Sequence, residues 1–148
     1  MAKDRTPKVA ASPSGIKQPK AHATTSYNDL HPSWRFDRID WKHPFVDFEV
    51  TSDHLKGLFE SLCQLEQRDW NEILVAAKKQ NHNVEIEKLS KKAQDRLGML
   101  FKLLDFDQLL SLRLSAKERI WGVLDRGVVT LLWWDPKHEV CPSAPKNT

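Results

Sequence analysis

Asp135, His138 and Cys141 recur at three-residue spacing near the end of the chain. A carboxylate, an imidazole and a thiolate are ligand types that hold a transition metal. The supply of ligands argues against that chemistry: a structural zinc site takes four Cys or His, and the chain has two cysteines and, besides His138, five scattered histidines. No metal site is expected. His138 alone follows a turn; an imidazole there can move a proton near neutral pH, although a capping or exposed histidine is the commoner case. Arg113 and Arg119 either pair with Glu118 and Asp125 as an ordinary cross-strand ladder or stand free as cations. No Gly-rich phosphate loop, Ser nucleophile elbow or pair of catalytic carboxylates occurs, and five glycines leave little room for nucleotide-cradling loops.

These residues sit in Leu109 to Val140, LLSLRLSAKERIWGVLDRGVVTLLWWDPKHEV, whose period is that of strands. Leu110, Leu112 and Leu114 alternate with Ser111, Arg113 and Ser115, and Ile120, Gly122 and Leu124 alternate with Trp121 and Val123. Asp125-Arg126-Gly127 is a turn whose glycine can take positive φ. Val128 to Trp134 is apolar almost throughout, which predicts a central strand covered on both faces and ended by Asp135-Pro136. Trp133 and Trp134 then point to opposite faces, one into the core and the other into the core or a partner interface. The short connections permit only antiparallel neighbours.

Upstream, Trp34 to Val50 (WRFDRIDWKHPFVDFEV) interleaves aromatics with charges and is broken at His43-Pro44, which predicts a strand over about 45–50 after an irregular aromatic stretch. Thr51, Ser52 and Asp53 are N-cap residues for a helix over about 53–65, with Leu55, Leu58, Phe59, Leu62 and Leu65 on one face. A second helix is expected over 69–80, opening on Asp69 with Glu72 three residues later. A third is expected over 85–104, its apolar stripe Ile86, Leu89, Ala93, Leu97, Leu100 and Leu104 opposite Lys88, Lys91, Lys92 and Arg96. Those four cations, interleaved with Glu85, Glu87 and Asp95, read as a solvated helix face.

A chain of 148 residues with six Trp and six Phe can build one core. Residues 1–33, rich in Lys, Pro, Ser, Ala and Thr, cannot bury enough surface to offset the entropy of ordering and read as a disordered basic arm. That leaves a single domain over 34–141 and a frayed tail over 142–148. The arm carries the whole formal charge of +3, so residues 31–148 are neutral and show no overall basic excess of the kind nucleic-acid-binding domains display. No run is long and apolar enough to cross a bilayer and no secretory leader pattern opens the chain, so a cytoplasmic location without membrane contact is expected. Two cysteines are too few for a disulfide framework; Cys63 is expected to be a buried thiol and Cys141 an exposed one.

The expected fold class is therefore α+β: an N-terminal strand, three helices, then a three-stranded antiparallel meander with the helices packed on one sheet face. That order resembles the RelE/ParE-like toxin superfamily over about residues 45–140, with one extra helix. The stretch LLSLRLS, RIWGVL, VVTLLWWDPKHEV also resembles the C-terminal part of small uncharacterised bacterial and mobile-element proteins. The first resemblance implies messenger-RNA cleavage without metal or cofactor, or inhibition of other cellular machinery, with neutralisation by an antitoxin and RNA or the ribosome as a candidate target. Carried onto this chain, it implies Arg113, Lys117, Arg119 and His138 as the catalytic set and Trp121 and Lys137 as RNA-binding residues. The chemistry suits those types: the 2′-oxygen must lose a proton, the leaving oxygen must gain one, and the phosphorane charge needs cations. His138 would shuttle the proton, Arg113 and Arg119 would grip phosphate, and Trp121 would stack a base. The chain departs from the family in having no Tyr in this region, Tyr27 being its one tyrosine. The rival expectation is a non-catalytic protein-interaction module of mobile-element origin.

Overall fold

The computed structural model describes residues 26–142, so the disordered arm expected from residue 1 lies outside the described residues as far as 25, and the tail does so from 143. The elements in chain order are strand β1 (Ser33–Arg35), helix α1 (Ser52–Glu66), strand β2 (His82–Glu85), helix α2 (Lys91–Leu100), and strands β3 (Gln108–Arg113), β4 (Arg119–Asp125) and β5 (Val128–Asp135). A π-helical turn, Asn71–Ala76, stands between α1 and β2, and short 3-10 turns occupy Tyr27–Asp29 and Ile86–Lys88.

The fold is α+β, but the expected three-stranded meander is overturned. One mixed sheet of five strands runs in the order β1-β5-β4-β3-β2, with β1 parallel to β5 and every other pair antiparallel. Consequently β4, not β5, is the middle strand. No strand occupies 45–50: after the Pro44 break the chain turns, and Phe45 enters the core edge-on to Trp133 at 5.2 Å. The expected helix over 85–104 is divided. Val84 pairs with Leu109 at the sheet edge, the 3-10 turn follows, and α2 starts only where the Ser90 hydroxyl caps Ala93 N–H. The expected second helix survives as the π-helical turn, with Asp69 Oδ1 accepting from Glu72 N–H.

Helical elements cover both faces, which also corrects the expectation of helices on one face. Successive strand residues point to opposite sides, and both sides are apolar here. Leu110, Leu112, Ile120, Val129 and Leu131 pack with Leu62 and Leu65 of α1 and Ile73 of the π-helical turn. Leu109, Trp121 and Trp133 pack with Ala93 and Leu97 of α2 on the opposite side. Cys63 faces away from this packing and is exposed, whereas Cys141 is half-buried, the reverse of expectation.

Three devices fix the register. The Arg126-Gly127 turn takes φ of 50° and 85°, the two left-handed positions of a tight hairpin. Its Gly127 carbonyl accepts from the fully buried Trp70 indole at 2.9 Å, tying the start of the π-helical turn to the hairpin. At the bulge between Trp121 and Gly122, the β5 backbone comes so close that a Cβ on Gly122 would collide with the Thr130 carbonyl oxygen. On the α2 side, the buried Asp40 carboxylate accepts two hydrogen bonds from Arg96, at 2.6 and 2.8 Å, and one from the Trp133 indole at 2.9 Å. Burial alone would raise the Asp40 pKa, but the bonds from Arg96 and Trp133 hold it below the usual carboxylate value.

Candidate functional site

Residues 36–50 and the N-terminal half of α1 face each other without closing, leaving an apolar groove of 460 Å³. Its floor is Ile120, Leu131 and Trp134; one wall is Leu55, Leu58 and Phe59; the other is Phe36, Trp41 and Phe48. Local structure explains the opening. Thr51 starts α1 through a reciprocal cap, its hydroxyl accepting from His54 N–H while its own N–H donates to His54 Nδ1 at 3.1 Å. The cap holds His54 against Phe48 (5.2 Å) and Trp134 (5.8 Å), and Lys137 binds Asp47 at 2.8 Å, fastening that end. The other end stays open, with Trp41 78% and Phe59 53% exposed. A contiguous exposed aromatic surface of this kind is unusual on a folded chain, where isolated exposed apolar residues are ordinary but clustered ones are not.

The residues singled out by sequence do not converge on one place. Arg119 and His138 line a second, polar cavity of 290 Å³ on the α2 side, together with Lys79 and His82. Arg113 stands opposite Arg119 in register and donates to the Ser115 carbonyl at 3.1 Å, outside the cavity lining. Lys117 is exposed in the β3–β4 turn, and Lys137 lies at the groove end. Trp121 touches the polar cavity but is 1% exposed and donates its indole N–H to Asp135 at 3.1 Å, so its face is unavailable for stacking a base. The alternative ladder is absent too: Glu118 accepts from the Trp134 indole, Asp125 pairs with Arg126, and Arg119 Nη1 donates to the carbonyls of Ser115, Ala116 and Glu118.

Asp135, at the start of the exit turn, is fully buried and accepts from Glu139 and Val140 N–H as well as Trp121. It organises the turn, which carries His138 at φ 58°, a strained value for a non-glycine. Burial first, then the neighbouring Arg119 charge, lowers the His138 pKa, with Asp135 opposing. Arg119 is lowered by burial and then by Arg113. Among the described residues no group of three or more His, Cys, Asp and Glu is placed to hold a metal, and no helix is long and apolar enough to cross a membrane.

Comparison with protein-family models, curated proteins and solved structures gave no significant match. The groove residues Phe36, Trp41, Phe48 and Phe59 were absent from the expected site. Their signal was the interleaving of aromatics and charges over 34–50, which reads as an irregular segment until α1 is placed beside it.

Proposed function

We propose that this chain is a protein-interaction module whose apolar groove receives an amphipathic helix from a partner protein. The observation that carries the reading is the exposed aromatic wall, Trp41 and Phe59 above all, over a preformed apolar floor. A helix suits the groove better than an added strand. The floor is made of side chains: β4 is paired on both sides, and β5 is paired with β4 along its length, with β1 over Val128–Thr130, and beyond that with Asp40, whose N–H donates to the Leu132 carbonyl at 3.0 Å. A guest therefore meets side chains instead of a free ladder, and an apolar stripe at i, i+3, i+4 and i+7 is the pattern that fills such a groove.

The test is photocrosslinking in the native host from benzoylphenylalanine placed at position 59, with the same probe at position 117 as control. One discrete adduct from 59 and none from 117 supports the reading. Equal labelling from both overturns it, and an adduct with the mass of two chains replaces the partner with a second copy.

A second reading, an RNA-binding or RNA-cleaving protein of RelE-like type with an antitoxin partner, has one supporting observation: Arg119 and His138 reach the same cavity. The burial of Trp121 and the separation of Lys117 and Lys137 from that cavity weigh against it. Induced expression decides it. Growth arrest with fragmented RNA, relieved by Arg119→Ala or His138→Ala, supports this reading, and harmless expression with intact RNA removes it.

A further inference from the structure

The apolar groove leaves the polar cavity beneath the exit turn without a task. Its walls come from three directions: Lys79 and His82 at the start of β2, Ser111 and Arg119 on neighbouring strands, and His138 on the turn after β5. No carboxylate lines it. The nearest acid, Asp135, has both oxygens engaged by Trp121 N–H and by the backbone of Glu139 and Val140. Arg119 spends only Nη1 on main-chain carbonyls, so its Nε and Nη2 edge, the edge that meets an oxyanion with two parallel bonds, has no partner among the described residues. Ser111 lines the cavity, and its hydroxyl, open to that space, likewise has no hydrogen-bond partner among the described residues. A hydroxyl, a free guanidinium edge, a lysine and two imidazoles, with the hydrogen-bonded Asp135 as the acid acting on Arg119 and His138, form a site complementary to a compact oxyanion.

We propose that this cavity binds the phosphate group of a small phosphate monoester, gripped by Arg119 and Ser111 and neutralised by Lys79. A monoester fits the charge better than a nucleic-acid backbone. Its terminal dianion matches two permanent cations, whereas each diester carries a single charge. The site is separate from the groove, with which it shares no lining residue.

The experiment is a phosphorus NMR titration of the full chain with inorganic phosphate and with phenyl phosphate, repeated with Lys79→Ala, Ser111→Ala and Arg119→Met. Saturable binding of phenyl phosphate is expected, weakened about tenfold by Arg119→Met, by the loss of one charge-assisted contact. Arg119 also holds the β3–β4 turn, so Lys79→Ala, at an exposed position without structural bonds, is the control against misfolding and is expected to weaken binding severalfold. Absence of saturable binding at millimolar phosphate overturns the site, as does binding that none of the three folded variants weakens. Tighter binding of a single-stranded RNA oligomer that phenyl phosphate does not displace overturns the monoester assignment.

Discussion

Asp40→Asn tests how the segment that walls the groove is held. The carboxylate takes both hydrogen bonds of a forked contact with Arg96 and a third from the Trp133 indole, so it joins residues 36–50 to α2 and β5 at one point. An asparagine keeps the volume and one acceptor but loses the charge. Removing one partner of a buried ion pair costs about 3–5 kcal/mol. The Arg96 side chain retains 19% exposure and so keeps part of its hydration, which places the expected loss at the lower end, about 3 kcal/mol. For a domain of this size that is a fall in Tm of roughly 10–12 °C. The sign of the pH dependence follows from the lowered Asp40 pKa. Its contribution is complete well above the ordinary value of 3.8 and is lost as pH falls through the folded-state value beneath it. Circular-dichroism melts of wild type and variant at pH 7 and at progressively lower pH should therefore converge in acid. A loss below about 1 kcal/mol at pH 7, or a gap that stays constant down to unfolding, would refute the anchoring role.

Further outcomes follow from the same packing. Gly122→Ala should destabilise by about 2 kcal/mol or more in denaturant titrations, because the obstacle at the bulge is the β5 backbone and not a mobile side chain. Trp70→Phe removes the indole donor to Gly127 and leaves a void; about 2 kcal/mol is expected, and a neutral result would mean the hairpin is held without it. Ellman's reagent should label Cys63 faster than Cys141 in the native protein, since Cys63 is exposed while burial raises the Cys141 pKa. Equal rates, compared through Cys63→Ser and Cys141→Ser, would contradict the burial of the exit turn.

The C-terminal strands were legible because β3 and β4 alternate over six and seven residues and β5 is an eight-residue stretch, apolar almost throughout and ended by Asp135-Pro136. β1 and β2, with three and four residues, are too short to display a period. β2 was further concealed because Ile86, Leu89, Ala93 and Leu97 continue at helical spacing across a chain that is strand, 3-10 turn and helix in succession. The second helical layer had a trace in the sequence: the apolar run of β5 requires cover on both faces, and covering it with helices from one side alone could not supply that. Of the candidate site, the meeting of Arg119 and His138 depends on the buried Asp135 folding the exit turn back toward β2, a long-range arrangement that no local spacing encodes. The groove is a juxtaposition of two segments, and its residues carry no motif.

The central claim, that the aromatic groove is a partner-binding surface, is tested most directly by affinity. With the crosslinked partner purified, its Kd for wild type, Trp41→Ala, Phe59→Ala and Lys117→Ala should be measured by titration calorimetry. Exposed aromatic anchors of this kind contribute about 2 kcal/mol each, so Trp41→Ala and Phe59→Ala should each weaken binding by roughly thirtyfold while Lys117→Ala leaves it unchanged. Unchanged affinity in both aromatic variants, with the fold intact, would show that the partner binds elsewhere.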